Sequence, residues 1–138
     1  MQDIMDDNKF SFEDLEVWQE AVNFSIKCLN LVERIETNRK HYRLIEQFES
    51  ATTSPALNIA EGKGRFSKKE FVQFLYIARG SLFETVSLLE IFRRLTWIED
   101  IEFEQLKQDA NRLGKRLSTL INSIKAPQFL IDVGKTGH

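Results

Sequence analysis

Cysteine occurs once in 138 residues, at position 28. An internal disulfide is therefore excluded, and Cys28 cannot hold a metal ion alone. A lone thiol also suits a reducing compartment. Histidine is nearly as scarce. His41 falls in a polar stretch and His138 is the final residue. No Glu-x-x-His pair is present to build a di-iron site in a helical bundle. Two prolines and six glycines, against eleven phenylalanines, argue for long regular elements over a turn-rich β fold. No apolar run approaches the roughly 20 residues that a membrane-spanning helix needs. The N-terminal stretch is acidic up to Asp7, without the basic and apolar regions of a signal peptide. A cytoplasmic protein with no metal, cofactor or membrane partner is expected.

A strong overall charge is missing too: the net charge is −2, so the molecule as a whole is no polycation. Hydrophobic residues make up 42% and charged residues 29%, which is ordinary for one globular domain. The charge is unevenly spread, however. Residues 1–20 are acid-rich, whereas Lys63, Arg65, Lys68 and Lys69 lie within seven residues that contain no acid. Such local patches can hold an anionic partner.

Four helical patterns fill the chain. The first starts at Ser11, with Asp14 three residues on, a capping-box-like start. Phe12, Leu15, Trp18, Val22, Ile26, Leu29 and Val32 then recur at helical spacing. Residues 36–40 form a polar connector. The second pattern carries Leu44, Phe48, Ala51, Pro55 and Ile59 on one stripe, and Pro55 predicts a kink within one helix. Gly62 and Gly64 end it, and at least one of them is expected to take a positive φ. Ser67 with Glu70 caps the third helix. The fourth carries Phe103, Leu106, Ala110, Leu113, Leu117, Leu120 and Ile124 as a heptad seam, and Pro127 ends it. The expected fold is an all-α, antiparallel up-down-up-down four-helix bundle. Its helices span about 12–36, 42–62, 68–96 and 101–125, between a flexible acidic stretch (1–10) and a frayed tail (127–138).

The third helix has more apolar surface than a bundle needs. Phe71, Phe74, Leu75, Ala78, Leu82, Val86, Leu89 and Phe92 form its core stripe. Ile77, Leu88, Ile91 and Leu95 form a second patch on one flank, and Val72, Tyr76 and Phe83 a third on the other. Exposed apolar patches mark contacts, so a homo-oligomer is expected through Ile77, Leu88, Ile91 and Leu95. The alternative is that neighbouring helices cover both flanks.

The run from Asn58 to Phe71, with Glu61, Gly62, Gly64, Arg65, Ser67 and Glu70 in it, resembles the signature of the 23S rRNA-intervening-sequence protein family. The resemblance extends over about residues 10–125, through Phe12 to Leu15, Val17 to Gln19, Gln47, Phe74, Leu75, Ala78 to Leu82 and Glu84. It implies ribosomal-protein-like single-domain four-helix bundles that assemble as rings, commonly pentamers. Some members sit inside ribosomal RNA genes. A related branch, the variability-determinant accessory factors of retroelement reverse transcriptases, binds nucleic acid through a basic surface. Family members often carry Arg shortly after the helix-two Gln. Here those positions are Phe48, Glu49 and Ser50, which weakens phosphate binding on that face.

Several candidate sites follow, each with a plainer reading beside it. Lys63, Arg65, Lys68 and Lys69 at a helix start can attract phosphates, and Phe66 among them can stack on an unpaired base; alternatively the segment is a solvated turn. Asn58 and Glu61 are either ligand contacts or partners for nearby backbone groups. Arg112, Lys115 and Arg116 flank the seam of the fourth helix, where long basic side chains often cover a core. Cys28 reads as packing, not as a nucleophile. Gly134, Lys135 and Thr136 lack the earlier glycine of a phosphate loop. The sequence thus points to a non-enzymatic, oligomeric bundle that binds RNA or a ribonucleoprotein. The alternative is a structural or protein-interaction module with no nucleic-acid role.

Overall fold

The computed structural model describes residues 4–5, 8–35 and 41–127. The connector at 36–40, the tail from 128 onward with Gly134 to Thr136 and His138, and residues 1–3 and 6–7 of the acidic stretch lie outside them. Four helices carry the fold: α1 (Glu16–Arg34), α2 (Tyr42–Lys63), α3 (Lys68–Arg94) and α4 (Asp100–Lys125). They follow a two-residue antiparallel strand pair, β1 (Ile4–Met5) with β2 (Lys9–Phe10), and a 3-10 turn at Ser11–Asp14.

The helix expected from Ser11 begins later. Leu15 is extended, with φ −76° and ψ 120°, and separates the 3-10 turn from α1. Before that break, the Phe10 N–H donates to the Glu13 carboxylate at 2.7 Å. The second pattern is one continuous helix with Pro55 inside it.

All four helices contribute to the core. Its largest buried side chains include Phe48, Phe92, Leu31, Ile59, Leu75 and Leu117. Each such residue contributes about 1.5–3 kcal/mol by leaving water. The Phe48 and Phe92 ring centroids are 5.1 Å apart. Trp97 stacks on Phe92 at 5.3 Å, and His41 meets Trp97 edge-on at 4.8 Å. The heptad seam of α4 holds from Phe103 to Leu117 and then slides: Ile121 is buried, while Leu120 and Ile124 are half-buried. A straight helix has 3.6 residues per turn, so a strict seven-residue stripe drifts off its face.

Named pairs set the registers between helices. Gln47 of α2 donates to Glu84 of α3 at 3.1 Å, and the Ser54 and Ser81 hydroxyls lie 2.8 Å apart. Between α1 and α4, Lys27 pairs with Asp109 at 2.8 Å and Arg34 with Glu102. Arg116 reaches both Glu16 at 2.9 Å and Glu20 at 2.6 Å. Between α3 and α4, Arg79 donates to Ser118 at 3.2 Å.

Two expectations need correction. Neither glycine of the α2–α3 turn has a positive φ: Gly64 sits at φ −79° and Gly62 is an ordinary helical residue. Gly62 is needed for space instead. A Cβ there would lie 2.7 Å from the Cβ of Phe74 and 3.0 Å from Cδ1 of Phe71. Positive φ occurs instead at Asn8 (φ 62°), ahead of β2, and at the end of α3, at Thr96 with φ 60°. There the Trp97 N–H reaches Phe92 O at 2.9 Å and the Thr96 N–H reaches Arg93 O at 3.0 Å. That is a Schellman closure, with Trp97 stacked on Phe92 as its apolar contact.

The second correction concerns the flank patch of α3. Leu88 is only 4% exposed and belongs to the core, so no second subunit can bury it further. Ile77, Ile91 and Leu95 remain exposed on that flank. On the other flank Val72 is buried, while Tyr76 and Phe83 are exposed.

Candidate nucleic-acid interface

The basic segment is the turn between α2 and α3. Gly64 closes α2, its N–H reaching Ala60 O at 3.3 Å, and the Arg65 N–H reaches Gly62 O at 3.1 Å. Ser67 caps α3: its Oγ accepts from the Glu70 N–H at 3.1 Å and donates to the Glu70 carboxylate at 3.1 Å. Glu70 therefore spends one oxygen on its own cap. The helix start also leaves N–H groups and a positive dipole end facing outward.

The four cations divide by role. Arg65 pairs with Glu61 at 3.2 Å and lies over the Phe74 ring at 4.7 Å, so it ties the end of α2 to α3. Lys63, Lys68 and Lys69 enter no ion pair among the described residues, and Lys68 and Lys69 are exposed. Phe66 stands 84% exposed between them. An aromatic ring held in water beside three such lysines can meet both halves of an unpaired nucleotide.

Asn58 does not join this surface. Its Nδ2 donates to Ser54 O at 2.9 Å and to Ser54 Oγ at 2.8 Å, within the seam that links α2 to α3. Phe48 is fully buried, while Glu49 and Ser50 are exposed. On α4, Arg112 pairs with Asp109 at 3.6 Å and Arg116 is held by α1, which leaves Lys115 as the member of that trio with no ion pair among the described residues. Sequence reasoning passed over Arg79 and Lys107. Arg79 lies over the rings of Tyr76 at 5.0 Å and Phe83 at 6.0 Å. For Arg79 the available signal was its spacing, three residues after Tyr76 and four before Phe83, which puts all three on one side of a helix; no such spacing marked Lys107, which lies on α4.

The lone thiol sits in surroundings that suppress its reactivity. Burial pushes the Cys28 pKa up to about 12. The neighbouring Thr52 hydroxyl pulls the other way without offsetting the burial. Among the described residues no group of three or more His, Cys, Asp or Glu side chains could hold a metal ion. No helix among them is long and apolar enough to cross a membrane.

The fold and this surface define a small all-α, four-helix protein whose α2–α3 turn presents lysines that enter no ion pair among the described residues. The chain belongs to the family of 23S rRNA-intervening sequence proteins, whose family model matches residues 13–119. A similar solved structure is that of a protein of unknown function from the S23 ribosomal protein family of Bacteroides thetaiotaomicron. It is 26% identical, covers 76% of this chain and 97% of its own, and superposes with a TM-score of 0.71. A search of curated proteins gave no match.

Proposed function

We propose that this chain is a non-enzymatic, cytoplasmic, antiparallel up-down-up-down bundle that assembles with copies of itself into a ring, a pentamer being favoured, and binds RNA or a ribonucleoprotein. The cross-helix pairs Gln47–Glu84, Ser54–Ser81 and Lys27–Asp109 support the bundle topology. The observation that carries the binding role is the turn itself: Lys63, Lys68 and Lys69 without ion pairs among the described residues, around an exposed Phe66. In a ring, several copies of a modest patch act together, and multivalency raises avidity.

The test is RNA binding as a function of salt. Neutralising Lys68 and Lys69 to Gln should weaken binding to all RNA sequences alike, because phosphate contacts carry no sequence information. The slope of log affinity against log salt should flatten by up to ~0.9 for each duplex phosphate that is no longer neutralised. An assembled protein that ignores RNA even at low salt supports the second reading, a protein-interaction module. That reading draws on the net charge of −2 and on the exposed Glu49 of α2.

A further inference from the structure

A groove of about 930 Å³ opens between α3 and α4. Leu82, Phe83 and Val86 form its apolar wall; Lys107, Asn111 and Lys115 stand opposite. Gly114, beside Leu82, keeps its floor low: a Cβ there would already lie 3.5 Å from Leu82 Cδ2. At the end nearest Asn122, Lys125 Nζ lies 3.1 Å from the Tyr76 hydroxyl and 5.5 Å from the ring centroid. The groove and this end thus present Arg79, Lys107, Lys115 and Lys125 against one acid, Glu104. None of the four cations enters an ion pair among the described residues.

The α3 wall continues into the basic turn. Lys69, Val72, Tyr76, Arg79, Phe83 and Val86 follow one another at three- and four-residue steps, so they share one side of the helix. That stripe is roughly 25 Å long at ~1.5 Å per residue. It lies roughly 100° around the helix from Ile77, Ile91 and Leu95, so self-association there would leave it open. Phe83 is 58% exposed although it sits beside apolar groove residues.

We propose that the α3–α4 groove is a track for single-stranded nucleic acid, with bases stacked on Phe83 and phosphates held by Lys107, Lys115 and Lys125. The track runs through Lys69 into the turn, and the inference rests on the nucleic-acid role proposed above. Cations set beside an exposed ring in a groove match the way single strands are held: rings stack on any base, and a positive channel follows the backbone. A rigid duplex has no free base faces to offer Phe83. The amides of Gln108, Asn111 and Asn122 and the hydroxyl of Thr119, which line the same groove, add donors and acceptors for base edges.

Fluorescence anisotropy on the full chain tests this, using labelled oligouridine of about 12 nucleotides, within the site sizes of single-strand binders, and an RNA duplex of equal length. Phe83→Ala should weaken oligouridine binding roughly 5- to 150-fold and leave the duplex unchanged. Phe83→Trp, which keeps a stacking ring, should restore it. Combining Lys107→Gln with Lys115→Gln should flatten the oligouridine salt slope by up to ~0.7 for each phosphate that is no longer neutralised. All three positions lie on the open groove and outside the core, so circular dichroism should show each variant folded. Groove variants that bind oligouridine like the parent, while the Lys68 and Lys69 neutralisations weaken it, overturn the groove and leave the turn standing. A parent protein that binds neither RNA at low salt overturns the nucleic-acid role itself.

Discussion

Gly62 and Thr96 show how one residue's requirement can be set by its neighbours. Replacing a helical glycine with alanine ordinarily gains about 1 kcal/mol of helix propensity. At position 62 the new methyl would sit 2.7 Å from the Phe74 Cβ, an atom that no side-chain rotation can move. Separating α2 from α3 to relieve it should cost about 1–3 kcal/mol. Net of that propensity gain, Gly62→Ala should therefore destabilise the protein in urea by about 1 kcal/mol, and an unchanged midpoint would show that the helices part freely. Thr96 is the reverse case. A β-branched residue in the left-handed region carries about 1–2 kcal/mol of steric cost, offset here by the Trp97–Phe92 stack that the closure allows. After allowing for glycine's greater chain entropy, Thr96→Gly should raise stability by about 0.5–1 kcal/mol, seen as a higher thermal midpoint. Neither effect was legible in the sequence. Two glycines between helices read as a left-handed turn, and only the packing reveals that the space matters and the φ does not.

At the scale of the element, the four helices were readable because each buries one face over five or more turns. Boundaries and flanks were less so. Leu15 interrupts the first pattern without a Gly or Pro to announce it. Leu88 sat on a flank of the α3 wheel, but which flank a neighbouring helix covers depends on how the helices cross, which a wheel does not contain. The start of α4 offers a test by pH. The Glu102 carboxylate accepts from the Glu99 N–H at 3.0 Å and pairs with Arg34. The backbone hydrogen bond, and then Arg34, hold its pKa below the ordinary 4.5. A depressed carboxylate contributes stability above its unfolded pKa and loses it as the pH falls through the folded value. Glu102→Gln keeps a neutral acceptor for the cap and removes the charge. It should cost about 0.5–1 kcal/mol at pH 7. Urea titrations at falling pH should show that difference closing below about 4.5 and gone once the parent carboxyl is protonated. A gap that persists in acid would mean that the loss comes from packing.

For the whole molecule, the outer side of α3 bears on assembly. Ile77, Ile91 and Leu95 are exposed along it, and Gly80 lies on the same helix, where a Cβ would meet nothing within 4 Å. A glycine in a helix interior costs about 0.5–1 kcal/mol, and nothing among the described residues requires this one. Close approach by a partner helix would. Sedimentation at micromolar concentration should give a multiple of 16.1 kDa, and Ile91→Glu should shift it toward the single chain. A parent sedimenting as one chain would falsify the ring. The lone thiol has a further consequence. Cys28 is fully buried, and its pKa near 12 leaves almost no thiolate at neutral pH. A labelling reagent reaches it only when the helices separate. Every molecule thus carries one built-in clock for its own opening, and the rate at which a colorimetric thiol reagent reacts would count those excursions, without dye, tag or added mutation.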